Sequence, residues 1–212
     1  MQCKLSLAAI ATALTLGAAL APQAANAATE VTVVNGTMEA NVDLQPGEWV
    51  TLDVAGATGT YKIDDPLKGW TVTGPDAGVV LPTPSMFTQP YTGGDILYIG
   101  GTEADQGGFT QDFGLMKSHA TYKITLDIGW RLDVRCSGYV IQALFDDVVK
   151  HTFQSADCSQ LTQGAFKTLS FPFASSGGKK LKVHLSTVTP GGNDQINYDN
   201  FRLSWKSTAS AR

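Results

Sequence analysis

From Tyr122 to Trp130 an apolar residue falls at every second position, with Lys123, Thr125, Asp127 and Gly129 between Tyr122, Ile124, Leu126, Ile128 and Trp130. Side chains leave a β-strand on alternate faces, so this segment reads as a strand with one face on a core. A helix would scatter the same residues around its axis. Leu181, Val183 and Leu185 alternate with Lys180, Lys182 and His184 in the same way. Similar patterns predict strands at 30–34, 49–54, 96–99, 139–145, 166–173 and 196–205. Turn signals separate them: Gln45-Pro46-Gly47, Gly93-Gly94, Gly100-Gly101, Gly107-Gly108, residues 175–178 and Pro190-Gly191-Gly192. With 22 glycines and 9 prolines, the chain is punctuated too often for long helices. About eight short strands at this spacing predict an all-β fold, an antiparallel two-sheet β-sandwich of the jelly-roll kind.

The last strand breaks its own rhythm. Its apolar positions run Ile196, Tyr198 and then Phe201, Leu203, Trp205. A two-residue period cannot skip a step without an extra residue, so a bulge is expected at Asp199-Asn200. Bulges re-aim side chains, which makes Asp199 a candidate for a fixed structural role; a solvated turn carboxylate is the alternative. Asp146-Asp147, just before Val148-Val149, reads as a hairpin turn.

Lys4, an uncharged apolar stretch over 5–20 and the small-x-small site Ala25-Asn26-Ala27 have the make-up of a secretory signal peptide. Residues 1–27 are therefore expected to be cleaved, and the mature protein to be secreted. A membrane anchor is the alternative, but Pro22 ends the run short of the ~20 strongly apolar residues that span a bilayer. No later segment is long and apolar enough, so no membrane association is expected after cleavage. One sandwich domain, 28–206, and a short tail, 207–212, remain.

Cleavage takes Lys4 alone from the 15 Lys and Arg and none of the 19 Asp and Glu, leaving a formal charge of −5. Without a basic patch to meet phosphates, nucleic acid is excluded as a partner. Cys3 leaves with the signal peptide, and Cys136 and Cys158 remain. In an oxidising compartment that pair is expected to form a disulfide across ~22 residues; two buried free thiols are the alternative.

Between residues 64 and 111 the chain changes character. Pro66, Pro75, Pro82, Pro84 and Pro90 are interspersed with Trp70, Met86, Phe87 and Tyr91, and periodicity is weak before Ile96. Long aperiodic loops in a compact domain are functional or disordered, and the apolar content argues against disorder. The stretch is expected to fold over one end or face of the sandwich and wall a pocket. Trp70 and Phe87 stand equally well as small-core residues beneath such a loop.

Catalytic constellations are mostly absent from the sequence. No nucleophile elbow, HExxH or phosphate-binding Gly-rich loop occurs, and His119, His151 and His184 lie in separate elements. Oxygen-rich metal chemistry is better supplied. Ca²⁺ wants several carboxylate and carbonyl oxygens, and Asn35-Gly36-Thr37-Met38-Glu39 and Tyr198-Asp199-Asn200 offer them from what are to be the first and last strands.

The order of short motifs resembles a family of small secreted jelly-roll proteins related to carbohydrate-binding modules, whose active members are the hapalindole-type (Stig) cyclases. Residues 35–39 resemble that family's Asn-x-x-Phe-Glu, with Met38 in place of Phe, and Gly69-Trp70 resembles its Gly-Trp. Residues 96–99 are similar to its Tyr-rich strand, Gly108-Phe109-Thr110-Gln111 to its Gly-Phe-x-Gln, and 121–129 to its Thr-x-Tyr-x-Leu stretch. Residues 164–168 and 198–203 complete the series, the latter close to Phe-Asp-Asn-Val-Arg-Leu.

The resemblance implies structural Ca²⁺ on Glu39 and Asp199, no organic cofactor, and cyclisation or rearrangement of an isoprenoid or polyene-type substrate. Tyr98 and Asn197 are the catalytic candidates, and Trp70, Phe87, Tyr91 and Trp130 the aromatic wall of the substrate pocket. In these cyclases an acidic residue stands two positions before the motif Asp, where this chain has Asn197. An amide donates a hydrogen bond but delivers no proton, which leaves room for a pericyclic variant such as a Diels-Alder-type cycloaddition. The competing class is a non-catalytic, calcium-stabilised glycan-binding module on the same fold, with exposed rings stacked on sugars. The candidate partners are thus a small apolar substrate or a glycan, with a homodimer also open. Asn35-Gly36-Thr37 is a glycosylation sequon in a eukaryotic host, or simply the family turn.

Overall fold

The alternating segment forms the longest regular part of an all-β sandwich. The computed structural model describes residues 27–39, 43–52, 67–73, 77–88, 94–100, 107–188 and 194–208. Residues 1–26 of the expected signal peptide 1–27, together with Tyr91 and residues 209–212, lie outside these. In chain order the strands are β1 (Thr29–Val31), β2 (Trp49–Thr51), β3 (Thr71–Thr73), β4 (Ala77–Val80), β5 (Ile96–Ile99), β6 (Gly108–Leu115) and β7 (Ala120–Trp130). They continue with β8 (Arg135–Cys136), β9 (Tyr139–Phe145), β10 (Val148–Ser155), β11 (Ala165–Ala174), β12 (Lys180–Ser186) and β13 (Asp194–Ser207). No helix among the described residues is long and apolar enough to cross a membrane.

The larger sheet runs β11-β7-β13-β5-β4-β2, with β1 and β8 also pairing β13; the smaller runs β10-β9-β12-β6-β3. The pairings are antiparallel except for the short β8–β13 pair. Ile124, Leu126 and Ile128 of β7 and Leu181, Val183 and Leu185 of β12 are all at most 1% exposed, facing each other from the two sheets. The period-two patterns thus mark the two inner faces.

The structure adds strands to the segment read as one long loop. β3 and β4 lie within it, and β6 closes it. β4 escapes period-two reading because all four of its residues, Ala-Gly-Val-Val, are buried: one face meets the core and the other is covered by residues 81–88. β3 has only three residues, too few to show a period. The expected hairpin turn is present at Asp146 and Asp147, whose φ values of 49° and 65° are those of a two-residue turn between β9 and β10.

The expected bulge is also present. Pairing of β13 with β7 shifts register between Asp199 and Arg202, and Asn200 takes a left-handed φ of 50°. The extra residue keeps Ile196 and Tyr198 before it, and Phe201 and Leu203 after it, on the core face. Cys136 and Cys158 are joined by a disulfide with a Cα–Cα separation of 6.4 Å. It ties β8, beside the larger sheet, to the turn between β10 and β11, the edge strands of opposite sheets.

Burial and a covalent bond each have a measurable consequence for stability here. Burial holds the His184 imidazole below its usual pKa, and its Nδ1 lies 2.9 Å from Thr110 Oγ1. A depressed base favours folding when neutral, so its contribution is present above the unfolded-state value near 6.5 and is lost as pH falls through the folded one. Stability should therefore decline below about pH 6.5, before the carboxylates titrate, and His184→Asn should flatten that limb in pH-dependent urea melts. The disulfide should contribute about 3 kcal/mol, so the Cys136→Ser, Cys158→Ser double variant should melt roughly 10 °C lower by calorimetry.

Candidate functional site

The outward-facing residues of the larger sheet form two rows that follow from its register. Gly129 of β7 pairs with both Phe166 of β11 and Asn197 of β13, and Asn197 pairs with Tyr98 of β5. Tyr98 in turn pairs with Gly78 of β4, and Gly78 with Thr51 of β2. Residues directly opposite share a face, so Phe166, Gly129, Asn197, Tyr98, Gly78 and Thr51 form one row. The next row carries Thr168, Asp127, Asp199, Val80 and Trp49.

Two glycines in the first row make room for rings. A Cβ on Gly129 would lie 2.6 Å from Phe166 Cε1, so the Phe166 ring lies across the β7 backbone. A Cβ on Gly78 would lie 2.6 Å from the Tyr98 hydroxyl, which sits 2.6 Å from Thr51 Oγ1. Over this row folds the segment 81–88. It brings Met86 and Phe87 onto Val80, Ile96 and Tyr98 in a second apolar cluster, with Phe87 stacked on Phe166 at 4.7 Å. The segment is held by Thr88 N and Oγ1, both donating to Gly164 O at 2.7 and 2.9 Å, and by Leu132 N donating to Met86 O at 2.9 Å.

Asn197 is the buried polar residue in the middle of the first row, 0% exposed. Its Nδ2 donates to Leu97 O at 3.3 Å, and its Oδ1 has no hydrogen-bond partner among the described residues. Leaving a buried acceptor unpaired costs about 1–3 kcal/mol, a cost that marks a site awaiting a donor. On the opposite face of β13, Tyr198 donates to Ser186 O at 2.6 Å, and burial pushes its phenol far above the usual range; it is a core residue and no acid.

The structure therefore brings Tyr98, Asn197 and Phe87 together and sends the other predicted wall residues elsewhere. Trp70 is in the main core, edge-on to Phe201 with centroids 5.3 Å apart, and its Nε1 donates to Asn35 O. Trp130 lies on the core side of β7, its Nε1 donating to Val134 O at 3.0 Å. Tyr91 falls outside the described residues. Phe166 and Gly129 are not among the predicted site residues, and Met86 is there only as part of the pocket-walling stretch, although a glycine at an outward position of an otherwise regular strand signals close approach by another group.

The early and late acidic motifs meet the start of β5. Asn35 Oδ1 accepts from Glu39 N and Nδ2 donates to Glu39 O, at 2.9 and 2.7 Å, so both ends of this amide are occupied by the turn. Asn35 and Met38 have φ values of 52° and 60°, and Met38 is fully buried. Glu39 Oε2 accepts from Asp95 N at 3.0 Å, in space left by Gly94. Asp199 is 2% exposed, Asp95 6%, and the β13–β5 register sets Asp199 at the level of Ile96. Asn200 Nδ2 bridges Asp199 Oδ2 and Asp127 Oδ2 at 3.1 and 2.9 Å. No group of three or more His, Cys, Asp or Glu among the described residues is arranged as a metal cluster. The donors present are hard oxygens, the chemistry that suits Ca²⁺ with backbone carbonyls as added ligands.

The HpiC1-like family, described as HpiC1 cyclase, matches residues 29–204. An apo-form cyclase from Fischerella sp. is similar in structure with a TM-score of 0.64 at 18% identity, covering 86% of this chain and 98% of that one. The Stig cyclase Fisc from Fischerella sp. TAU, solved with (3Z)-3-(1-methyl-2-pyrrolidinylidene)-3H-indole, gives a TM-score of 0.64 at 19% identity, covering 86% and 100%. A further Fischerella sp. TAU cyclase, in complex with 4-(1H-Indol-3-yl)butan-2-one, gives 0.61 at 20% identity, covering 86% and 100%. No curated protein matches the sequence. The chain belongs to the HpiC1-like cyclase family and is a cyclase-type enzyme of secondary metabolism.

Proposed function

We propose that the protein is a secreted cyclase or pericyclase that folds an isoprenoid-bearing, planar natural-product intermediate in the compartment between Phe166, Asn197 and Tyr98. The observation that carries this reading is the cross-strand pairing of Asn197 with Tyr98 beneath an apolar cover. An apolar compartment holds a hydrocarbon tail against a ring and so raises the effective concentration of the reacting carbons. Asn197 presents a free carbonyl oxygen to a substrate N–H or O–H, and polarises that donor where charge develops. Having no proton to give, it suits cyclisation or cycloaddition in which bonds form in concert. The indole ligands of two Fischerella structures support an indole-type ring as substrate class. A glycan module needs exposed rings; Trp70 and Phe87 are turned inward at 5% and 3% exposure, leaving Trp49 as the large exposed aromatic among the described residues, at 66%.

Export is part of the same proposal. The N-terminal signal sequence motivates it, and the Cys136–Cys158 bridge is compatible with it. Ca²⁺, if bound, would be held by Glu39 and Asp199 with Asp95 and nearby carbonyls, and would fix the start of β5 that carries Tyr98. Its role there is to neutralise carboxylates and order the strand.

In product assays on a prenylated indole, Asn197→Ala should lower kcat about 100-fold while leaving the melting temperature near that of the wild type. Equal turnover in the two proteins would remove Asn197 from the chemistry. Asn197→Asp should introduce an acid limb into the pH–rate profile, absent from the wild type. For the metal, EGTA should lower the melting temperature by several degrees, and Glu39→Gln should abolish the difference between chelated and Ca²⁺-loaded protein.

A further inference from the structure

We propose that Phe87 is a plug: its ring fills, in the resting protein, the slot that the planar ring of the ligand occupies when bound. The inference rests on the compartment being the substrate site and adds how that site is entered. It begins from closure. Val80, Ile96, Tyr98, Phe87, Met86 and Asn197 are all at most 9% exposed, so Asn197 Oδ1 is closed to solvent in this arrangement.

Of these, Val80, Ile96, Tyr98 and Asn197 are locked in the ladders joining β4, β5 and β13. Met86 and Phe87 sit on an irregular segment that is held at its start by Leu81, which exchanges bonds with Glu48 O and Gly47 N, and beside Phe87 by Thr88 N and Oγ1 to Gly164 O and Leu132 N to Met86 O among the described residues. Opening a few loop bonds costs far less than parting a sheet, so entry goes through Phe87.

What Phe87 covers is shaped for a ring. Phe166 lies across Gly129, a floor that any larger residue at 129 would lift, and Phe87 stacks on it at 4.7 Å with an interplanar angle of 32°. A ligand ring seated on Phe166 in its place would regain that stack and bring its edge toward Asn197, next to Gly129 in register. An N–H on that edge would satisfy the unpaired Oδ1, which the phenyl ring of Phe87 cannot do. The exchange therefore favours a donor-bearing planar ring over a plain hydrocarbon.

A plugged site binds with an apparent affinity reduced by the fraction of open molecules. Indole is the probe. With the full mature protein, titration should show the Kd for indole falling about tenfold in Phe87→Ala and rising about tenfold in Phe166→Ala. Phe87→Leu keeps apolar volume if the alanine variant folds poorly, and should also bind more tightly than wild type. In wild-type protein, saturating indole should accelerate hydrogen exchange at the Thr88 and Leu132 amides, whose bonds the departing segment breaks. Indole that fails to bind, binds Phe87 variants no better than wild type, or leaves those amides protected overturns the plug. Tighter binding and faster exchange with indole, together with no turnover of a prenylated indole in the product assay, leave the plug standing and remove the reading of this compartment as the cyclisation site.

Discussion

The amide of Phe201 donates to the Gly36 carbonyl at 2.7 Å, at the point where β13 shifts register against β7. With Asn200 inserted there, β13 serves two surfaces at once. Its odd and even positions change places across the bulge, so Ile196, Tyr198, Phe201 and Leu203 all reach the core while Asn197 and Asp199 stay on the outer face. An unbulged strand would turn Phe201 and Leu203 to that face, or carry Asn197 and Asp199 into the core. The bond to Gly36 also ties the bulge to the 35–39 turn, whose Glu39 reaches the start of β5. One extra residue thus couples the acidic end of the sheet to the strand holding Tyr98.

Around this constraint, the outer face divides by chemistry. Toward β4 and β5 it is apolar and roofed; toward β7 and β1 it is open and mixed, with a groove of about 520 Å³ in which Glu30, Thr37, Asp127, Asn200 and Arg202 stand beside Val31, Val33 and Phe201. Asn197 stands at the boundary. A polar residue so placed can be kept dry by its apolar neighbours, while Asp127 and Asp199 occupy the adjacent row of the same face. The open half has its own internal bonding: Asp127 accepts from Thr168 at 2.5 Å as well as from Asn200.

Much of this was legible in the sequence, and what was not has physical causes. Alternation located β7 and β12 because each has one buried face, and the skipped step in β13 gave the bulge because period two tolerates no slip. β4 was hidden because both its faces are covered, which erases alternation. Of the candidate site, the resemblance named Tyr98 and Asn197, and the register pairs these two across β5 and β13. The site's wall was not legible: Trp70 and Trp130 look like ligand platforms by residue type, but the strand face decides, and both point to the core side. Phe166 could be placed only once the register set it opposite Gly129.

The account stands or falls on where a ring binds. A crystal structure of the mature protein with indole is the most direct measurement. The account predicts the indole stacked on Phe166, its N–H toward Asn197 Oδ1, with Phe87 swung out and β13 unchanged. Indole seated in the open groove or against the smaller sheet, with Phe87 still on Phe166, would contradict it.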